Sequence, residues 1–220
     1  MMPTTPTTTR FAAVLFDLDG TLADTIPTVT RLYVQILRQF TGRAWQPHEL
    51  LAYFGPPEDG IFRRIVNDEA LVQAMLSAYY ELTETHGASF TAFPGIRELL
   101  ISLQAQDVQL GVFTSGLTEA ALIRLNYAGL REFFPVVIGG DQVAQYKPHP
   151  EGLHKLMAAL KVAPEETIFI GDSPLDLQAG KAAGVTTAGA LWGMSTRETL
   201  AAADCLCEHA TQLQHFIQSA

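Results

Sequence analysis

Four short polar runs interrupt the apolar pattern of this chain, and each holds residue types that can grip an anion or a cation. The first is Asp17-Leu18-Asp19-Gly20-Thr21, directly after the apolar run Phe11 to Phe16. In extended backbone, residues i and i+2 point the same way, so Asp17 and Asp19 can serve one site. Two carboxylates that close repel unless one takes a proton or a cation sits between them. A divalent ion with oxygen ligands meets that need, and magnesium is the usual choice beside phosphate. The second run, Thr114-Ser115-Gly116, follows a strand pattern and precedes a helix pattern, where hydroxyls and free N–H groups make an anion site. The third is Gln145-Tyr146-Lys147-Pro148, in which an isolated lysine, its backbone steadied by Pro148, can neutralise a phosphate as a point charge. The fourth is Gly171-Asp172-Ser173-Pro174-Leu175-Asp176.

Singly, these runs have plainer explanations. Asp17 and Asp19 suit a capped loop, Thr114 and Ser115 a helix cap, and Lys147 a solvated surface. Ser173-x-x-Asp176 with Pro174 at the first helical position is a capping signature. What outweighs these is shared placement: every run falls at the carboxyl end of an expected strand of one sheet.

The elements that must position them follow from periodicity. Phe11–Phe16 is a continuous apolar run of the kind a doubly buried parallel strand carries. From Thr25 to His86 the period turns helical: Ile26, Val29, Leu32, Tyr33, Ile36, Leu37 and Phe40 share one face, and Gly42 ends that helix. Further helices are expected over Pro47–Phe54, Glu58–Val66 and Asp68–Thr85. After Phe93-Pro94-Gly95 the chain alternates: helices over 96–104, 117–128, 151–160 and 174–183, with strands over 108–113, 135–138, 167–170 and 185–190. That alternation implies an α/β fold: a Rossmann-like parallel sheet with helices on both faces, and ligands bound beyond the carboxyl ends of its strands. An all-helical cap is inserted after the first strand. The expected division is a catalytic core from 11–22 and 92–220, a cap from 23–91 and a disordered leader from 1–10. A final edge strand and helix are expected near Asp204, Cys205 and Cys207, with the thiols reduced.

Bulk properties exclude several functions. The chain has 220 residues and a net charge of −9, with lysine only at 147, 155, 161 and 181. Polyanion binding needs clustered Lys and Arg, so neither nucleic acid nor an anionic membrane is an expected partner. No apolar stretch approaches the roughly 20 residues of a membrane span. The Thr- and Pro-rich first ten residues lack the apolar segment of a signal peptide. A cytoplasmic protein, monomer or homodimer, is expected.

The four runs, in this order, resemble the haloacid dehalogenase superfamily from Phe11 to about Gly193, and the helical insertion matches its smaller cap type. The resemblance implies Asp17 as the nucleophile that becomes an aspartyl phosphate, and Asp19 as the group that protonates the leaving oxygen and then activates water. It implies Thr114, helped by the backbone at Ser115 and Gly116, as the phosphoryl-binding hydroxyl, and Lys147 as the charge stabiliser. It implies Mg²⁺ held by Asp17, the Asp19 carbonyl and Asp172, with Asp176 supporting directly or through water. Asp19 argues against dehalogenation, because the dehalogenases lack the second aspartate. The insertion contains no lysine, which argues against Schiff-base phosphonate cleavage and disfavours sugar-phosphate mutation. What remains is similar to the phosphoglycolate phosphatases and their pyrophosphatase relatives, on Asp17–Thr25, on Tyr53-Phe54-Gly55-Pro56-Pro57 and on Ala188–Gly193. The implied activity is hydrolysis of a small phosphorylated metabolite, with pyrophosphate hydrolysis or a β-phosphoglucomutase-like reaction as alternatives. Arg63 and Arg64, after the Gly55-Pro56-Pro57 turn, either meet a second anionic group of the substrate or form a solvated basic face.

Overall fold

Register in a parallel sheet is what brings the four polar runs together. The computed structural model describes residues 11–219; the leader expected over residues 1–10 lies outside them. Strand β1 (Ala13–Phe16) is flanked by β4 (Gln109–Phe113) and β6 (Thr167–Gly171), both parallel to it. Phe16 is level with Val112 on one side and Ile170 on the other, so the chains past these residues emerge at one edge. With β5 (Val136–Ile138), β7 (Thr186–Ala190) and β8 (Cys205–Cys207) the order is β5-β4-β1-β6-β7-β8, parallel throughout.

The central strand is buried on both faces, as its unbroken apolar run requires. Val14 and Phe16 pack with α5 (Ile96–Gln104), α6 (Thr118–Tyr127) and α9 (Ala210–Ser219). Ala13 and Leu15 pack with α7 (Glu151–Leu160) and α8 (Pro174–Ala182). The terminal strand and helix expected near Cys205 are β8 and α9, and the Cys205 and Cys207 thiols, 3.6 Å apart, share a hydrogen bond and form no disulfide.

Between β1 and β4 lies a helical layer with an apolar cluster of its own. The chain crosses into it through β2 (Ala23–Asp24) and returns through β3 (Thr91–Ala92); the two segments pair antiparallel, so exit and re-entry run side by side. Helix α1 (Ile26–Thr41) carries the expected stripe and ends at Gly42, whose φ of 70° suits a residue without a β-carbon. Helix α2 (Pro47–Leu50) is shorter than expected, its last turn tightening into a 3₁₀ turn at 51–53. Helices α3 (Glu58–Ile65) and α4 (Glu69–Thr85) complete the layer. Tyr33, Phe62 and Tyr79 meet ring against ring at its centre. Leu117 and Ala120, at the start of α6, belong to the same cluster, so α6 touches both the sheet and the helical layer. Among the described residues, no helix is long and apolar enough to cross a membrane.

Leu15 has no exposed surface and sits in the middle of the central strand. Leu15→Ala is expected to cost about 2–5 kcal/mol, through lost transfer energy and the cavity it leaves. A urea titration should show a lower midpoint with an unchanged slope.

Candidate active site

Asp17 leaves β1 with its N–H still donating to the Ile170 carbonyl, 2.8 Å. The residue is 7% exposed and its side chain faces Lys147, whose Nζ donates to Asp17 Oδ1 at 2.6 Å and to Asp176 Oδ1 at 2.7 Å. Lys147 lies in the loop after β5, and a cis peptide bond joins it to Pro148. It is a buried lysine and not a solvated one, because both hydrogen-bonded partners are anions. Burial alone would push its ammonium down; the pull of Asp17 and Asp176 outweighs that and holds it above the ordinary lysine range.

Asp176 forms the capping signature expected from the sequence and also meets Lys147. Its Oδ2 accepts from the Ser173 N–H at 3.0 Å and the Ser173 hydroxyl at 2.5 Å, completing a capping box at the start of α8, while Oδ1 takes Lys147. Asp172 accepts from the Met194 N–H at 2.8 Å and from Thr21 Oγ1 at 3.4 Å. Two glycines make room for it. A β-carbon on Gly20, whose φ is +86°, would lie 2.3 Å from Asp172 Oδ2, and one on Gly193 would lie 2.4 Å from the same atom.

Carboxylate oxygens of Asp17, Asp172 and Asp176 lie within 4.8 Å of one another. One lysine cannot balance three buried carboxylates. Burial raises Asp17 well above the usual carboxylate range, and Asp176, Asp172 and Asp19 add to this against the opposing pull of Lys147. Burial, followed by the charge of Asp176, pushes Asp172 up to about 7. An all-oxygen, surplus-negative set of this kind suits a hard divalent cation. The three residues could hold one.

Thr114 follows β4, is 1% exposed, and accepts from the Gly116 N–H at 3.2 Å through Oγ1. Thr114, Ser115 and Gly116 line one cavity with Asp17, Asp19, Lys147, Asp172 and Asp176. The far wall comes from the helical layer and is largely apolar: Ile26, Val29, Tyr33, Phe54, Pro56 and Ile61.

Asp19 shares the cavity but not the carboxylate cluster. The strand ends at Phe16 and the chain turns, with the Leu22 and Ala23 N–H groups donating to the Leu18 carbonyl. Strict i, i+2 alternation therefore lapses at this point. Asp19 Oδ1 accepts from Thr25 Oγ1 at 2.5 Å, and Oδ2 accepts from Arg124 Nη1 at 2.8 Å. Arg63 and Arg64 do not line the cavity. Arg63 is exposed and paired with Asp59 and Glu69; Arg64 is exposed and reaches the Tyr53 carbonyl at 3.5 Å.

The cations and anions that sequence reasoning missed are Arg124 and Glu58. Both are buried, both line the cavity, and their side chains pair at 2.9 Å. A signal was available. Arg124 falls on the buried stripe of α6 with Ala120, Ala121 and Leu125, and Glu58 on that of α3 with Ile61 and Phe62. A charge on each of two apolar stripes requires a partner across the contact.

The shift of Asp172 has a consequence for stability. The folded protein keeps a proton on Asp172 that the unfolded chain has already released, so this group lowers stability as pH rises from about 4 to about 7. In chelator-containing buffer, urea midpoints should fall with pH across that window in the native sequence and fall less in Asp172→Asn. Parallel profiles would refute this.

The chain matches the model of the family described as haloacid dehalogenase-like hydrolase over residues 14–190. It is 33% identical over 189 residues to the pyrophosphatase PpaX of Anoxybacillus flavithermus, covering 86% of this chain and 87% of that protein. It is 32% identical over 209 residues to the pyrophosphatase PpaX of Bacillus velezensis, covering 94% and 96%. A predicted phosphoglycolate phosphatase from Haemophilus somnus superposes with a TM-score of 0.83 at 22% identity, over 94% of this chain and 98% of that one. CbbY from Rhodobacter sphaeroides, in complex with phosphate, superposes with a TM-score of 0.82 at 26% identity, over 92% and 96%. With a family match across most of its length and relatives of this identity, the chain belongs to the haloacid dehalogenase-like hydrolases.

Proposed function

We propose that this hydrolase is a Mg²⁺-dependent phosphatase acting on a small phosphorylated metabolite through an aspartyl phosphate on Asp17. The observation that carries the reading is that Asp17 lies in one cavity with Thr114, Lys147 and the Asp172–Asp176 pair, with Asp19 beside it and differently partnered. Asp17 Oδ2 attacks phosphorus as the bond to the leaving oxygen breaks, and the Asp19 carboxyl gives that oxygen its proton. Water then attacks the aspartyl phosphate while Asp19 takes the proton back, releasing phosphate and restoring Asp17. Thr114 Oγ1, with the backbone at Ser115 and Gly116, holds phosphoryl oxygens. Lys147 fixes Asp17 and offsets charge as it spreads over the phosphoryl group. Mg²⁺, held by Asp17, Asp172, Asp176 and the Asp19 carbonyl, would supply charge neutralisation at the phosphoryl oxygens.

The helical segment, residues 23–91, serves in this reading as a lid with hinges near 22–26 and 87–95. Its apolar wall excludes bulk water while Asp17 attacks, and its movement admits product and water. The paired crossing of β2 and β3 supports hinging there, because two adjacent linkers let the layer tilt as one piece.

Inorganic pyrophosphate is the second candidate substrate. It is favoured by the relatives named pyrophosphatase PpaX, which match over most of both chains. A phosphoglycolate-like ester is favoured by the Haemophilus somnus neighbour on fold alone. A panel of phosphate esters and pyrophosphate, assayed for phosphate release with Mg²⁺ and with chelator, separates them. Release is expected only with the metal. Asp17→Asn should bring it to background while circular dichroism stays native, and Asp19→Asn should lower kcat by roughly 10²–10⁴. Undiminished turnover by Asp17→Asn would refute the mechanism.

A further inference from the structure

Arg124 is 1% exposed, and its guanidinium reaches from α6 to the candidate acid–base group. Nη1 donates to Asp19 Oδ2 at 2.8 Å; Nη2 donates to Glu58 Oε1 at 2.9 Å and to the Tyr79 hydroxyl. Glu58 and Tyr79 come from the helical layer, on α3 and α4. Glu58 Oε2 is also held, accepting from the Leu117 N–H at 2.6 Å at the head of α6. The Asp19 carboxylate is thus gripped on one oxygen by Thr25, beside the crossing strand β2, and on the other by Arg124.

With a carboxylate on each terminal nitrogen, Arg124 is not a free receptor for a substrate anion. Nor is stability a sufficient reason for it. Buried ion clusters contribute little net stability over a well-packed apolar equivalent, and Arg124 Nε is buried without a partner. Gly116 keeps the arrangement open: a β-carbon there would lie 3.1 Å from Glu58 Oε1 and 3.3 Å from Arg124 Nη1. The planar fork of arginine holds two carboxylates at fixed mutual geometry, which a lysine cannot do.

We propose that Arg124 is the positioning residue for Asp19, and that Glu58, delivered by the helical layer, sets the guanidinium in the orientation that does so. Protonation of the leaving group then depends on the helical layer being seated. This rests on the phosphatase reading above, in which Asp19 gives its proton to the ester oxygen as the P–O bond breaks.

The test compares kcat/KM, which reports the step that forms the aspartyl phosphate, for a simple alkyl phosphate and for 4-nitrophenyl phosphate. The alkoxide needs a proton as it leaves; the nitrophenolate does not. Arg124→Met is expected to lose about 100-fold on the alkyl ester and under about threefold on the nitrophenyl ester, the span of general-acid assistance. Glu58→Gln should show the same bias, smaller, because Arg124 and Asp19 remain. The double variant Arg124→Met/Glu58→Gln leaves no unpaired Glu58 charge; it should recover part of the urea midpoint lost in Arg124→Met and keep the leaving-group bias. Equal losses on both esters, in the single and the double variant, would overturn the proposal and leave the phosphatase reading standing. A native enzyme inactive on every ester and on pyrophosphate would overturn that reading, and this proposal with it.

Discussion

Three buried carboxylates held against one lysine are the constraint around which the rest of this structure is arranged. Asp17, Asp172 and Asp176 bring oxygens within 4.8 Å of one another, where the charged forms repel and water is scarce. Such a cluster persists only if the surroundings hold it. The parallel register levels β1 with β6, so Asp17 and Asp172 emerge side by side. The capping box at α8 pins Asp176 through one oxygen and frees the other for Lys147. Gly20 and Gly193 clear the space that Asp172 fills. Each device would be ordinary alone. Together they keep a surplus of negative charge at one sheet edge, which is the electrostatic condition a divalent cation relieves.

A second cluster, built on the side of the helical layer, sets one arginine against two carboxylates and carries a smaller negative excess. Arg124 sits between Asp19 and Glu58 and is far from solvent. The two clusters meet in the tripeptide Asp17-Leu18-Asp19. The turn after β1 gives its two acids different neighbours: Lys147 for Asp17, Thr25 and Arg124 for Asp19. Two similar acids in unlike environments can take different tasks, and this separation is what a nucleophile and an acid–base group require. Helix α6 joins the clusters mechanically, since Ala121 and Leu125 pack on the sheet while Leu117 and Ala120 pack on the helical layer.

Much of the fold was legible because burial leaves a periodic trace. Helices α5 and α7 fall on the residues their apolar spacing indicates, and the apolar runs ending at Phe16 and Phe113 are strands. The pairing of β2 with β3 left no trace, because two residues per strand are too few to show alternation. Helix α2 is shorter than its pattern, since a 3₁₀ turn carries the same apolar residues into the Gly55-Pro56-Pro57 bend. Arg63 and Arg64 stood in sequence where cavity residues would be expected. They lie on the outward side of α3, since the side turned inward carries Glu58, Ile61 and Phe62.

The sequence by itself determined the acids and the hydroxyl just past three strands and the lysine in the loop after a fourth, their order, and the helical insertion between the first two. Those are local properties: residue type, spacing and period. Which charge faces which was decided by the tertiary structure alone. Asp19 turns from Asp17 toward Arg124 because β1 has ended at Phe16 and the chain turns at Leu18, and Arg124 meets Glu58 because α3 and α6, 66 residues apart at that contact, are packed by apolar burial. Apolar burial is non-directional, and its trace in the sequence does not say which stripe meets which. The partner of a buried charge is therefore set by packing across the whole chain.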